Sequence, residues 1–225
     1  MSEPLAVVTI DGPSGVGKST ISRRVAARLG FTYLDTGAMY RAVALKCKMA
    51  GIDIKDAGAV GAILPGLDLR LMPARSEGED ARVVLDGVEV SELIRTPEIS
   101  MLASAVSALG PVREFLTRMQ QEMGAKGKIV AEGRDTGTVV FPQAAWKFYL
   151  DASPEERARR RVHQLRGRGA AVDEAEILAQ IVRRDRDDME RAIAPLRAAP
   201  DAVHIDSTRL SVDEVVARVL AVVQK

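Results

Sequence analysis

Residues 12 to 19 read Gly12-Pro13-Ser14-Gly15-Val16-Gly17-Lys18-Ser19, a loop of the pattern G-x-x-x-x-G-K-[ST]. An apolar run at residues 5–10 comes just before it, and a helical pattern from 19 to 29 comes just after. A strand, a tight glycine-rich loop and a helix in that order restrict the chain to a few α/β folds. Glycine lets the backbone approach where a β-carbon would collide. Several N–H groups can then converge on phosphate oxygens, with the positive end of the helix behind them. In such a loop the lysine, here Lys18, reaches the β- and γ-phosphates, and the hydroxyl of Ser19 serves Mg²⁺. The segment from Gly12 through Ser19 and Thr20 is therefore the candidate triphosphate site. A plain Gly/Pro turn with an exposed lysine is the bland alternative, and the strand–loop–helix context disfavours it.

Bulk properties narrow the class. A chain of 225 residues can build one substantial core with insertions. A net charge of +1 argues against a general nucleic-acid coat or a polybasic membrane binder. The start carries Glu3 and no basic lead, so no secretory leader is expected, and no apolar run approaches the ~18 residues that span a bilayer. The single cysteine, Cys47, excludes an internal disulfide, and a reducing cytoplasm is the expected compartment. Two histidines, His163 and His204, are too few for a histidine metal site or a Ser-His-Asp machine.

Strand-like runs at 5–10, 31–34, 128–132, 146–150 and 202–206 alternate with helical patterns at 18–29, 37–50, 97–108, 111–125, 153–167, 173–191 and 211–223. This predicts an α/β domain with a mainly parallel sheet. The long stretch from 35 to 128 holds its own β-like segments, 67–72 and 82–90, the latter with an Asp86-Gly87 turn signal, joined through a charged loop at 74–80. A small insert on the parent sheet is expected there.

Several constellations stand at predicted strand ends, where open α/β sheets bind ligands. Asp35-Thr36-Gly37 with Arg41 follows the second strand, and ligand binding and helix capping weigh about equally there. Arg134-Asp135 ends the third, as a ligand pair or a surface ion pair. Ser153-Pro154-Glu155-Glu156 reads as a helix start with a capping box. Arg157, Arg159, Arg160, Arg161, Arg166 and Arg168 follow, with no acid among positions 157–168, and Gly167 and Gly169 end the run. A cationic flap that closes over phosphates explains this better than a solvated face. In the helix at 173–191, the apolar stripe Ile177, Ile181 continues at helical spacing into Arg184, Asp188 and Arg191. That change suits a helix running from the core into a polar pocket, against the alternative of a salt-bridged solvent face. His204-Ile205-Asp206-Ser207-Thr208 ends the last strand, with capping of the final helix as the default reading.

Taken together, the motifs resemble the bacterial cytidylate kinases over essentially the full chain. The matching segments are Ile10-Asp11-Gly12-Pro13-Ser14-Gly15 with Gly17-Lys18, Leu34-Asp35-Thr36-Gly37-Ala38-Met39-Tyr40-Arg41, Ile94-Arg95-Thr96, Gly133-Arg134-Asp135 with Gly137-Thr138-Val139-Val140-Phe141-Pro142, and Ala192-Ile193-Ala194-Pro195-Leu196. The acidic stretch around Ser76 to Asp80 departs from the pattern as a loop-length variation. The resemblance implies a single P-loop kinase domain over 1–225, a three-layer α/β fold with a monophosphate-binding insert at about 37–110 and an Arg-rich lid at about 157–170. It implies phosphoryl transfer from ATP to CMP or dCMP with Mg²⁺, in a cytoplasmic monomer that binds neither nucleic acid nor membrane. By similarity, Thr36, Arg41 and Arg134 lie near the acceptor phosphate; Ser104, Arg113 and Asp135 read cytosine; Arg184 and Asp188 hold the sugar hydroxyls, with Arg191 behind them. Lys18, Arg134, Arg157 and Arg161 are the expected catalytic charges. Two other readings share the loop: a kinase for another small acceptor such as AMP, UMP or shikimate, and a non-catalytic nucleotide switch or nucleic-acid module.

Overall fold

The computed structural model describes residues 5–76, 79–167, 169 and 171–224. In chain order the elements are β1 (Leu5–Asp11), α1 (Lys18–Leu29), β2 (Thr32–Asp35), α2 (Thr36–Met49), α3 (Ala57–Ile63), β3 (Leu69–Met72), β4 (Arg82–Leu85) and β5 (Val88–Glu89). They continue as α4 (Pro97–Val106), α5 (Gly110–Gly124), β6 (Ile129–Gly133), β7 (Ala144–Asp151), α6 (Pro154–Arg166), α7 (Glu174–Glu190), β8 (Val203–Asp206) and α8 (Val212–Val223). The chain divides into two compact units, 1–32 with 128–225, and 33–127. Among the described residues no single helix is long and apolar enough to cross a membrane.

The first unit is built on parallel strands. β6, β1, β7 and β8 lie side by side in that order. The fifth strand of the sheet, β2, enters at Thr32, whose N–H donates to Lys128 O at 2.8 Å. β1 is buried on both faces, as central parallel strands are: Val7, Val8 and Ile10 are almost wholly inaccessible, as are Val130 and Ala131 of β6 and Phe148 and Leu150 of β7. The register sets Asp11 opposite Gly133 on one side and Tyr149 on the other. Three strands therefore finish at one edge, and the segments that follow them emerge together.

Gly12 is the first residue beyond that edge. Its φ is +152°, and a Cβ there would lie 2.0 Å from the carbonyl oxygen of Leu150. The chain turns out of β1 while pressed against the backbone of β7, and only glycine fits. α6 and α7 pack on each other through Ala158, Val162, Ile177 and Ile181, all buried. Ser153 caps α6 through Glu156 N–H at 3.2 Å, with Pro154 in the first turn. The expected capping box is only half made, because the Glu156 carboxylate turns to Arg159 and Arg160 instead. The full box occurs at α8, between Ser211 and Glu214, so the final helix is capped after 204–208 and not within it.

In the second unit Asp35 caps α2, accepting from Ala38 N–H at 2.8 Å. β3, β4 and β5 form an antiparallel sheet. Its hairpin turn has φ of 50° at Asp86 and 81° at Gly87, both left-handed, as a type I′ turn requires. The segment expected as a monophosphate-binding insert, residues 37–110, lies within this unit. Glu77 and Gly78 of its charged loop, and Arg168 and Ala170 of the expected lid, lie outside the described residues. α3 was not legible in the sequence: Gly58 and Gly61 depress its helix propensity, while Asp56 caps it and a Cβ on Gly61 would lie 3.6 Å from Pro111 Cβ.

Gly12→Ala is expected to destabilise the protein by more than about 2 kcal/mol in urea unfolding, since backbone would have to move to admit the methyl. An unchanged midpoint would contradict the close approach.

Candidate active site

The 12–19 loop begins at the sheet edge and runs into α1. Lys18 opens the helix and is buried, its ammonium donating to Gly12 O at 2.9 Å and Pro13 O at 2.7 Å. Burial, then repulsion from Arg134, holds its ammonium well below the ordinary lysine range; Arg184 adds to the repulsion, while Glu132 and Asp11 oppose it. The loop motif alone implies a lysine reaching out to phosphates. The structure instead folds the lysine back onto its own loop, where it bonds neutral carbonyls that phosphate oxygens could replace. Ser19 and Thr20, on the first turn of α1, are exposed.

Beyond β6, Arg134 and Asp135 do not pair with each other. Arg134 Nε donates to Asp188 Oδ2 at 2.8 Å, and Arg191 Nη2 lies 3.7 Å from Asp135 Oδ1. Arg191 also approaches Asp188 at 3.8 Å. Asp135 and Asp188 are both buried. Burial alone would raise the Asp188 carboxyl, yet Arg134, Arg184 and Arg191 together hold it below the usual carboxylate range. On α7, then, the buried face passes from Ile177 and Ile181 into this charge cluster without reaching solvent. Arg184 lies on the loop side, its Nη1 3.3 Å from Ser14 Oγ.

Two buried acids of this region escaped the sequence reading. Asp185 continues the 177–181 spacing by four more residues, and that spacing was the signal available. Its Oδ2 lies 2.7 Å from Arg157 Nη1. Asp11 accepts from Thr136 N–H, Thr136 Oγ1 and Gly137 N–H at 2.9, 2.8 and 2.7 Å. Burial pushes its carboxyl up to about 6, against the pull of those three bonds.

The arginine run differs from the expected flap. Arg157 is buried, donating from Nε to Ala152 O at 2.9 Å and from Nη1 to Ser14 O at 3.1 Å. Arg160 spans Glu156, Val16 O and Ser207 O. Arg159 pairs with Glu156. The acids missing from 157–168 are supplied by Glu156 just before the run and by Asp185 on the neighbouring helix. Arg157 and Arg160 thus bond the carbonyls of the 12–19 loop and brace it from α6. Arg161, one turn after Arg157, is half-buried and donates to Gln164 Oε1 at 2.7 Å. A cleft of about 600 Å³ opens beside the loop, lined by Pro13, Ser153, Arg157, Asp185, Met189 and Thr208 among others.

In the second unit, Arg41 Nη2 lies 3.0 Å from Asp35 Oδ2, so Asp35 both caps α2 and orients Arg41. Thr36 is buried at the helix start. Arg113 is buried, donates to Ser107 O at 2.9 Å and lies 5.4 Å over the Tyr40 ring. Ser104 is half-buried on α4, three residues before Ser107, and its carbonyl accepts from the Ser107 hydroxyl at 2.7 Å.

Removing Asp185 leaves the Arg157 guanidinium buried without its carboxylate. Asp185→Ala is expected to destabilise the protein by about 3–5 kcal/mol, the range for breaking a buried pair on one side. Urea unfolding of the variant beside wild type measures it, and a loss below about 1 kcal/mol would show that the pair does not hold this region.

A family model described as "Cytidylate kinase" matches residues 8–225. A cytidylate kinase of Geobacter sp. (strain M21) is 52% identical over 209 residues, which are 93% of this chain and 88% of that protein. A cytidylate kinase of Carboxydothermus hydrogenoformans is 45% identical over 216 residues, 96% of each chain. Among solved structures, a gluconokinase from Sinorhizobium meliloti 1021 superposes with a TM-score of 0.50 at 14% identity, covering 99% of this chain and 94% of that one, a likeness of fold alone. With the loop at the end of β1, the paired charges after β6 and a match running from β1 to the C-terminal residue, the chain belongs to the cytidylate kinase family.

Proposed function

We propose that the protein transfers the γ-phosphoryl group of ATP to CMP or dCMP, giving ADP and CDP or dCDP. The observation that carries this reading is the shared sheet edge: the triphosphate loop leaves β1, and Arg134 and Asp135 leave β6, from the paired positions Asp11 and Gly133. Family membership over residues 8–225 supports it.

Phosphoryl transfer through a loose transition state needs alignment and charge neutralisation more than covalent help. Lys18 exchanges its carbonyl partners for β- and γ-phosphate oxygens. Arg157 and Arg160 hold the loop from behind, so Arg157 acts by positioning. Arg134, Arg161 and Lys18 neutralise charge on the moving group. The exposed hydroxyl of Ser19, at the start of α1, is the group that would hold Mg²⁺. Held there, Mg²⁺ would supply charge neutralisation for the phosphates.

On the acceptor side, the Asp135 carboxylate accepts from the exocyclic amine of cytosine; uracil carries a carbonyl there, and two acceptors repel. Arg113 and Ser104 donate to the remaining base edge. Arg41, oriented by Asp35, and Thr36 take the acceptor phosphate together with Arg134. Asp188 and Arg184, backed by Arg191, take the sugar hydroxyls. In this reading the segment 37–110 closes over the substrates, and the protein works on small nucleotides as a cytoplasmic monomer, apart from nucleic acid and membranes.

Initial rates with Mg²⁺-ATP and each of CMP, dCMP, UMP, AMP and shikimate test the proposal. CMP and dCMP should lead by about tenfold or more; an equal or better rate with any other acceptor would sink it. Lys18→Ala should lower kcat by about a hundredfold or more while the circular dichroism spectrum is retained. Near-wild-type turnover would remove the lysine from the mechanism.

A further inference from the structure

An aspartate just before a helical turn ordinarily caps that turn with its own carboxylate, accepting from N–H groups two or three residues on. Asp135 holds that position before the wide turn Thr136–Val140, and it makes no such bond. The N–H groups of Thr136 and Gly137 go instead to Asp11, at 2.9 and 2.7 Å, and the Thr136 hydroxyl joins them at 2.8 Å. The turn is seated firmly on β1: a Cβ on Gly137 would lie 2.8 Å from Thr9 Oγ1 and 3.4 Å from Asp11 Oδ2. Asp11 is also the residue directly before Gly12.

We infer that Asp11 is a positioning residue for acceptor recognition: it caps the turn from β1, so that the Asp135 carboxylate faces the acceptor base and not its own backbone. One side chain thereby fixes the base reader relative to the first residue of the triphosphate loop. The inference rests on the proposed reading of Asp135. It also accounts for a buried carboxyl raised to about 6, kept in place against the unfavourable burial of its charge.

The test uses the full chain as wild type, Asp11→Asn, Asp135→Ala and the double variant, each assayed for CMP, UMP and ATP dependence. Asp11→Asn places an amide NH2, a donor, against the N–H of Thr136 or Gly137. It should raise KM for CMP by about tenfold or more, leave KM for ATP within about twofold and lower the preference for CMP over UMP. In the Asp135→Ala background the same change should alter kcat/KM for CMP by less than about twofold, because the two residues act in series. Equal changes for CMP and ATP, or an undiminished effect in that background, would overturn the role of Asp11. Should Asp11→Asn lose its fold by circular dichroism, Thr136→Val removes the hydroxyl bond alone. A smaller CMP-selective rise in KM supports the inference, and an unchanged KM overturns it. A wild type inert towards CMP would overturn the functional reading and this inference with it, whereas an active wild type with unselective variants overturns only the latter.

Discussion

Everything at the sheet edge depends on the contact of Gly12 with the backbone of β7. The chain stays paired with both neighbours up to Asp11, and within one residue it turns against the carbonyl of Leu150 with no room for a methyl. Because the turn comes so soon, the loop stays low over the sheet. Its carbonyls come within reach of Arg157 and Arg160 on α6, and Asp11, just before it, bonds the turn that follows β6. A looser exit would leave the same residues in the sequence and lose their convergence.

Around that loop the charges of the first unit are matched in buried sets: Arg157 with Asp185, Arg134 with Asp188, and Arg191 between Asp188 and Asp135. Buried ions are tolerable when they are paired and hydrogen-bonded, and such pairs hold geometry more than they add stability. Lys18 is held differently. Its bonds go to two carbonyls, and its ammonium is depressed by burial and by Arg134. A cation held in that way gains from an incoming anion, as a phosphate-binding lysine must.

Much of this was legible in the sequence, for local reasons. The loop motif states its own backbone requirements, and parallel strands oblige the segments after β1 and β6 to emerge on one edge. The stripe from Ile177 to Asp188 marked where α7 turns polar while remaining buried. What escaped depended on partners far apart in the chain. Arg157 looked like a flap residue because its carboxylate, Asp185, sits on the next helix. Asp11 looked like part of a phosphate motif because its hydrogen-bond partners lie beyond β6. The Ser153–Glu156 spacing suggests a capping box, yet two arginines compete for Glu156 more strongly than the Ser153 N–H, which donates to Thr208 Oγ1 at 3.1 Å. α3 forms through its cap and its packing on Pro111 despite two glycines, and propensity alone could not show it.

The central claim is that a carboxylate fixed beyond β6 reads the acceptor base. A crystal structure with CMP bound tests it most directly. The cytosine amine should lie within hydrogen-bonding distance of the Asp135 carboxylate, and the sugar hydroxyls on Asp188 and Arg184. A base whose amine points away from Asp135 would contradict it.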